Sequence, residues 1–209
     1  VASKALRSSL SLQLARYEQF TQTIKWVPMW TRHCIISDSG LTLTRQGHDG
    51  SSPREMVWAA GGLLPTRGRY SWCVRIDASA GNTGAMSLGV CDGAAEFSWA
   101  LMLHSGKLND TCRPMGRRTP PEGFPKLAGS EHVIIDPSGE MKDLDGRAVG
   151  AVIEVIVDAD EGSLSFRINY GPALPALQGF PRGALLRPYA RLFYREGDRV
   201  TVTPGCLTS

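Results

Sequence analysis

The sequence predicts an all-β protein, an antiparallel sandwich or barrel, and three observations carry that prediction. Val152 to Val157 is a β-branched run broken only by Glu154, which suits a pleated and largely buried surface. Leu164, Phe166 and Ile168 then alternate with Ser163, Ser165, Arg167 and Asn169, so one face is apolar and the other wet. Short apolar runs, each closed by turn residues, recur from about Trp30 onward. A chain of 209 residues buries roughly 70% of its unfolded surface, enough to fold without metal or disulfides.

The first element departs from this rhythm. Leu6, Leu10, Leu14, Tyr17 and Ile24 fall at helical spacing, with serines and Gln13 on other faces. That pattern predicts an amphipathic helix over about 4 to 25, ended at Trp26-Val27-Pro28 because proline disfavours the α region before it. Residues 1–29 therefore read as a helical extension and 30–209 as the β domain. The stripe packs on its own domain or docks on a partner or second copy, and its few Lys and Arg argue against a membrane-surface helix.

The strands follow in order. Cys34-Ile35-Ile36, the turn Ser37-Asp38-Ser39-Gly40 and Leu41 to Thr44 read as a tight hairpin. Met56 to Ala60 stops at Gly61-Gly62, and Tyr70 to Ile76, Ala85 to Val90 and Ser98 to Leu103 are further strands. Ser105 to Leu127 has four prolines and no period, with five cationic side chains against two carboxylates. It reads as a solvated excursion or a binding loop. Val152 to Asn169 is a hairpin turned at Asp160-Glu161-Gly162, where glycine supplies a positive φ. Leu185 to Tyr194 and Arg199 to Thr203 close the domain.

Composition and motifs narrow the function classes. The net charge of +3 implies neither nucleic acid nor an anionic surface. Five scattered cysteines without C-x-x-C spacing fit a reducing compartment, cytoplasmic or nuclear, and no apolar run approaches the roughly 20 residues that span a bilayer. The four histidines have no metal-ligand spacing, and no nucleophile elbow, Walker loop or dinucleotide fingerprint occurs. No catalytic residue, metal site or cofactor is therefore expected. Glu154 and Asp158 share a strand face, as paired glycosidase carboxylates would, but Asp158 suits an Asx turn and Glu154 a solvent-facing position. Arg187, Arg191, Arg195 and Arg199 recur every four residues, yet Glu196-Gly197-Asp198 interrupts them and few aromatics interleave, so a solvated sheet face is expected. The five tryptophans, Trp26, Trp30, Trp58, Trp72 and Trp99, are expected to anchor the core.

Several segments, in order, resemble the SPRY family. Gly68-Arg69-Tyr70-Ser71-Trp72-Cys73-Val74 is similar to its G-x-[YH]-x-W-x-V strand, and Leu88-Gly89-Val90 to its short G-V strand. Ser98-Trp99-Ala100-Leu101 with Ser105-Gly106-Lys107-Leu108 resembles its SW-G-L and G-K-L segment. Gly150 to Asp158 with Gly162-Ser163-Leu164-Ser165-Phe166 and Asn169 resembles its hairpin, and Leu186-Arg187-Pro188-Tyr189-Ala190 its L-Y-P-x-V strand. The resemblance covers roughly residues 30 to 204. Three positions depart from it: Glu154 replaces a glycine, Ala151 an aspartate, and Asn169-Tyr170-Gly171 widens an Asn-Gly turn.

The resemblance implies a two-sheet, concanavalin-like antiparallel β-sandwich that recognises a peptide or protein partner without catalysis. It places Thr66-Arg67-Gly68 at the binding edge of such domains and gives Tyr194-Arg195, before the last strand, a comparable place. Thr66, Arg67, Tyr194 and Arg195 are thus the expected partner-binding residues, Tyr and Arg being frequent hot spots. A carbohydrate-binding lectin on the same kind of sandwich is the rival, and would need an exposed tryptophan on a concave face. A subunit docked through the N-terminal helix is another.

Overall fold

The computed structural model describes residues 11, 12, 15, 24–29, 33–46, 57–79, 86–103, 105–112, 119–127, 132–133, 149–192 and 196–204. Fourteen strands lie among them: β1 (Val27–Pro28), β2 (Cys34–Ser37), β3 (Thr42–Arg45), β4 (Val57–Ala60), β5 (Arg69–Ala78), β6 (Met86–Asp92) and β7 (Phe97–Met102), then β8 (Lys107–Cys112), β9 (His132–Val133), β10 (Val152–Asp158), β11 (Ser163–Ile168), β12 (Leu174–Gln178), β13 (Leu186–Leu192) and β14 (Arg199–Pro204). They form two sheets. Sheet I has the order β1-β4-β13-β6-β7-β8-β9, and sheet II the order β12-β11-β10-β5-β14-β3-β2. Every pairing is antiparallel. The all-β sandwich expected from the alternation is therefore present.

The period-2 pattern decides which side chains meet between the sheets. Sheet II sends in Tyr70, Trp72, Val74 and Ile76 from β5, Ile153, Val155 and Val157 from β10, and Leu164, Phe166 and Ile168 from β11. Sheet I answers with Met86, Leu88 and Val90, with Phe97, Trp99 and Leu101, and with Leu186, Ala190 and Leu192. The hairpin of β10 and β11 has the expected register, Asp158 opposite Ser163 and Ile153 opposite Ile168. Gly162 turns it at φ +63°, and a Cβ there would lie 2.2 Å from the Phe180 carbonyl oxygen. Conformation and space both require glycine at this position.

Sheet I has a second apolar layer on its outer side. Trp58, Ala60, Cys91, Ala95, Ala100 and Tyr189 cluster there with Met29 against them, and Trp58 is only 4% exposed. Arg191 belongs to the same face: its guanidinium lies 5.6 Å from the Trp58 ring centroid and donates to Ser87 Oγ at 3.3 Å. The solvated arginine face expected for β13 is thus corrected. Arg187 and Arg191 do share a face, but Arg191 is buried and Arg187 half-buried.

Three further expectations change. The helix over 4 to 25 lies outside the described residues except for Ser11, Leu12 and Ala15, which are helical, and its end. That end is not helical: Ile24 and Trp26 are buried between the sheets, and the Trp26 N–H donates to the Gly40 carbonyl at 2.7 Å. An isoleucine and a tryptophan gain more from the inter-sheet layer than from one helical turn. Second, Ser105 to Leu127 is not one solvated excursion. Lys107–Cys112 forms β8 against β7, and Phe124 and Leu127 return to the core. Phe124 stacks on Trp99 at a centroid distance of 5.5 Å, and the Trp99 indole N–H donates to the Pro125 carbonyl at 3.0 Å. Third, Leu174–Gln178 is a strand that the sequence concealed behind Pro175. Its place at the edge of sheet II allows a residue without an N–H donor.

Candidate functional site

Connectivity gathers four loops at one end of the sandwich. β4 runs into residues 61–68, which deliver the chain to Arg69 at the start of β5. Arg69 pairs with Asp158, where the turn into β11 begins, and Ser163 beyond that turn pairs with Gln178. The chain from Gln178 then returns to Leu186, which pairs with Asp92 at the mouth of the short loop 93–96.

Specific bonds fix these loops to one another. Arg187 donates from Nε to the Gly93 carbonyl at 2.8 Å and from Nη1 to the Gly61 carbonyl at 3.1 Å, so one guanidinium spans two loops. The Gly68 N–H donates to Asp160 Oδ2 at 3.0 Å, and the Ala159 N–H to the Gly68 carbonyl at 2.9 Å. The Tyr70 hydroxyl donates to the Arg67 carbonyl at 2.5 Å. Asp92 Oδ1 accepts the N–H groups of Glu96 and Phe97 at 2.7 and 2.8 Å, closing loop 93–96 from inside. The Gly179 and Phe180 N–H groups both donate to the Gly162 carbonyl at 3.0 Å. These contacts tie each of the four loops to a neighbouring element.

The surface so held mixes charge with exposed apolar groups. Thr66 and Arg67 are exposed on loop 61–68. Leu63 (39% exposed) and Leu185 (51% exposed) flank Gly93, where a Cβ would meet Leu185 Cβ at 2.8 Å and Leu63 Cδ2 at 3.5 Å. Gly93 thus lets two exposed leucines from different loops meet over a third. Sequence reading singles out Thr66 and Arg67 and not this pair, because lone leucines beside glycines carry no periodic signal.

Tyr194 and Arg195 lie outside the described residues. The strand that leads to them, β13, starts beside Asp92 and ends at Leu192 opposite Met86 and Val57. On the far side Arg199 pairs with Ala78 and Thr44. β13 thus ends, and β14 begins, at the end of the sandwich away from loop 61–68.

The rival sites fare differently. Glu154 and Asp158 do share the outer face of β10, but Ile156 stands between them and both are engaged. Arg167 Nη1 lies 2.6 Å from Glu154 Oε2, and Glu154 is buried, which corrects its expected solvent-facing position. Glu154 thus has a counter-ion directly across the strand pair. Asp158 Oδ1 accepts the Asp160 and Glu161 N–H groups at 3.1 and 3.0 Å, the Asx turn expected for it. Trp26, Trp58, Trp72 and Trp99 are all buried, so none of the described tryptophans offers a sugar-stacking platform, and Trp30 lies outside the described residues. Among the described residues no helix is long and apolar enough to cross a membrane.

No protein-family model matches the sequence, and no curated protein matches it. Solved structures do. The SPRY domain of human HERC1 aligns with a TM-score of 0.54 at 16% identity, over 84% of this chain and 94% of that one. The PSpry domain of TRIM65 aligns with a TM-score of 0.46 at 16% identity, over 90% of this chain and 95% of that one. The NHR1 domain of Drosophila melanogaster neuralized aligns with a TM-score of 0.48 at 15% identity, over 87% and 98%. With two seven-stranded antiparallel sheets among its described residues and the HERC1 alignment over most of both chains, this chain has the fold of a SPRY domain.

Proposed function

We propose that the chain is a non-catalytic protein-interaction module that takes a peptide or protein partner on the loop end built from residues 61–68, 93–96, 158–162 and 179–185. The observation that carries this reading is the Arg187 span between Gly61 and Gly93, together with the Asp160 bond to the Gly68 N–H. Loops held in place before binding lose little entropy on binding, which leaves more of the contact energy as affinity. Thr66 and Arg67 supply polar and cationic contact, and Leu63 and Leu185 apolar contact, from exposed positions on these loops. An intracellular setting agrees with five scattered cysteines that have no C-x-x-C spacing.

Two variants test the reading and separate the two candidate pairs. One replaces Thr66, Arg67 and Leu185 with Ala, Ala and Asp; the other replaces Tyr194 and Arg195 with Ala. Proximity labelling in the native cell first identifies partners, and pulldowns with each folded variant follow. Loss of capture in the first variant alone supports the Arg67 end. Loss in the second alone moves the site to the segment after β13, and undiminished capture by both removes either segment from consideration.

A further inference from the structure

The outer face of sheet II carries a second built feature, a polar cup of about 260 Å³ across β3, β14 and β5 that the loop-end reading does not use. Its floor is a fixed chain of bonds. Asp77 Oδ1 accepts Arg75 Nε at 2.6 Å, and Asp77 Oδ2 accepts the Thr201 hydroxyl at 2.5 Å. The Thr42 and Thr201 hydroxyls are 2.7 Å apart, and since the Thr201 hydroxyl donates its hydrogen bond to Asp77, Thr42 is the donor there. Both Asp77 oxygens are thereby occupied, and its charge is balanced by Arg75.

What remains facing the cup is rich in donors. Arg75 keeps the terminal N–H groups of a side chain that is 60% exposed. Arg199 is exposed, lines the cup and has no ion pair with a described residue. Thr44 adds a hydroxyl. On the acceptor side stands Asp38, at the rim on the turn after Ser37, whose hydroxyl lies 3.4 Å from Asp38 Oδ2. Two guanidinium forks over a hydroxyl-lined floor match a planar or tetrahedral oxyanion. A single rim carboxylate opposes multiple negative charge on the ligand, which favours a monoanionic carboxylate over a phosphate.

From this geometry we propose that the cup is an acceptor site for the carboxylate of an acidic side chain, an Asp or Glu presented by a partner protein. Arg199 is the principal cation, Arg75 is held in line by Asp77, and Asp38 is the element that rejects doubly charged groups. The proposal stands independently of the loop end, because the two surfaces share no residue.

NMR titration of the ¹⁵N-labelled chain tests it at low salt with three probes: acetyl-Gly-Asp-Gly-amide, acetyl-Gly-Asn-Gly-amide and inorganic phosphate. The aspartyl peptide should give saturable shifts confined to amides of β3, β5 and β14, and the asparaginyl peptide none. Arg199→Gln should weaken the aspartyl peptide at least fivefold. Asp38→Asn should tighten phosphate more than it tightens the peptide. Equal shifts from the two peptides, affinity unchanged in a folded Arg199→Gln variant, or tighter binding of phosphate than of aspartyl peptide by the unaltered protein would each overturn the assignment.

Discussion

Arg187 offers the sharpest perturbation of the loop end. Its guanidinium supplies a charged donor to the carbonyls of Gly61 and Gly93, at 3.1 and 2.8 Å. Replacing it with Met keeps the aliphatic stem and removes both donors. Hydrogen bonds to charged groups contribute about 1.5–3 kcal/mol each, but Arg187 is only half-buried, so water compensates part of the loss. The expected destabilisation is about 2 kcal/mol for the pair. With an m-value of about 2 kcal/mol/M, the urea midpoint should fall by about 1 M. Hydrogen exchange should accelerate first in residues 61–68 and 93–96 and leave the β10–β11 hairpin protected. As control, Arg67→Met at the same end, on an exposed side chain, should stay within about 0.5 kcal/mol. A midpoint shift below about 0.2 M with unaltered exchange in both loops would refute the idea that Arg187 holds them together.

Other outcomes follow from single contacts. Trp99→Phe removes the indole bond to Pro125 and part of the packing with Phe124 and Phe180, and should cost about 1–3 kcal/mol by thermal unfolding, with the 119–127 segment becoming protease-sensitive before the sheets. Tyr170 is 80% exposed with φ +65° beside Asn169 at φ +46°, so Tyr170→Gly should raise stability by about 0.5–1 kcal/mol in chemical denaturation. Burial and the neighbouring Asp92 push the Cys91 thiol far above its ordinary range. The folded state therefore keeps a proton that the unfolded chain releases above about pH 8.5, so stability falls as pH rises past that point, by up to about 1.4 kcal/mol per pH unit. Cys91→Ala should flatten that alkaline slope relative to the unaltered protein, which pH-dependent urea titrations would show.

Regular alternation is what made the sheets legible from residues alone. Val152 to Ile168 announced its hairpin because each inward position is apolar and each turn residue has a local reason to be there. What escaped is what depends on contacts distant in sequence. Phe124 sits in a proline-rich stretch with no period, and only the indole of Trp99 explains its place. Pro175 disguised an edge strand, since proline is excluded from strands in general but not from edges. At the candidate site, Thr66 and Arg67 were visible through a family resemblance, whereas Leu63 and Leu185 become neighbours only after two separate loops close over Gly93. Arg187 and Arg191 were read as solvated because a four-residue spacing reports a shared face and not what lies over it. Glu154 was misread for the same reason: its partner Arg167 is across the hairpin, not beside it in sequence.

The second apolar layer around Trp58 and Tyr189 has a practical bearing on how the molecule can be handled. Its presence makes the sandwich two-sided: one broad face is dry and the other, bearing Arg75, Arg199, Thr44 and Thr203, is wet. A fluorophore or surface tether attached through Thr203→Cys on that wet face, with the cross-strand Cys73 replaced by Ser, presents the Arg67 loop end sideways to solution. The same chemistry aimed at Ala60 or Ala100 would have to pry apart a closed surface before it reacted. Any immobilised assay of this chain therefore has a preferred handle, and that handle is on sheet II.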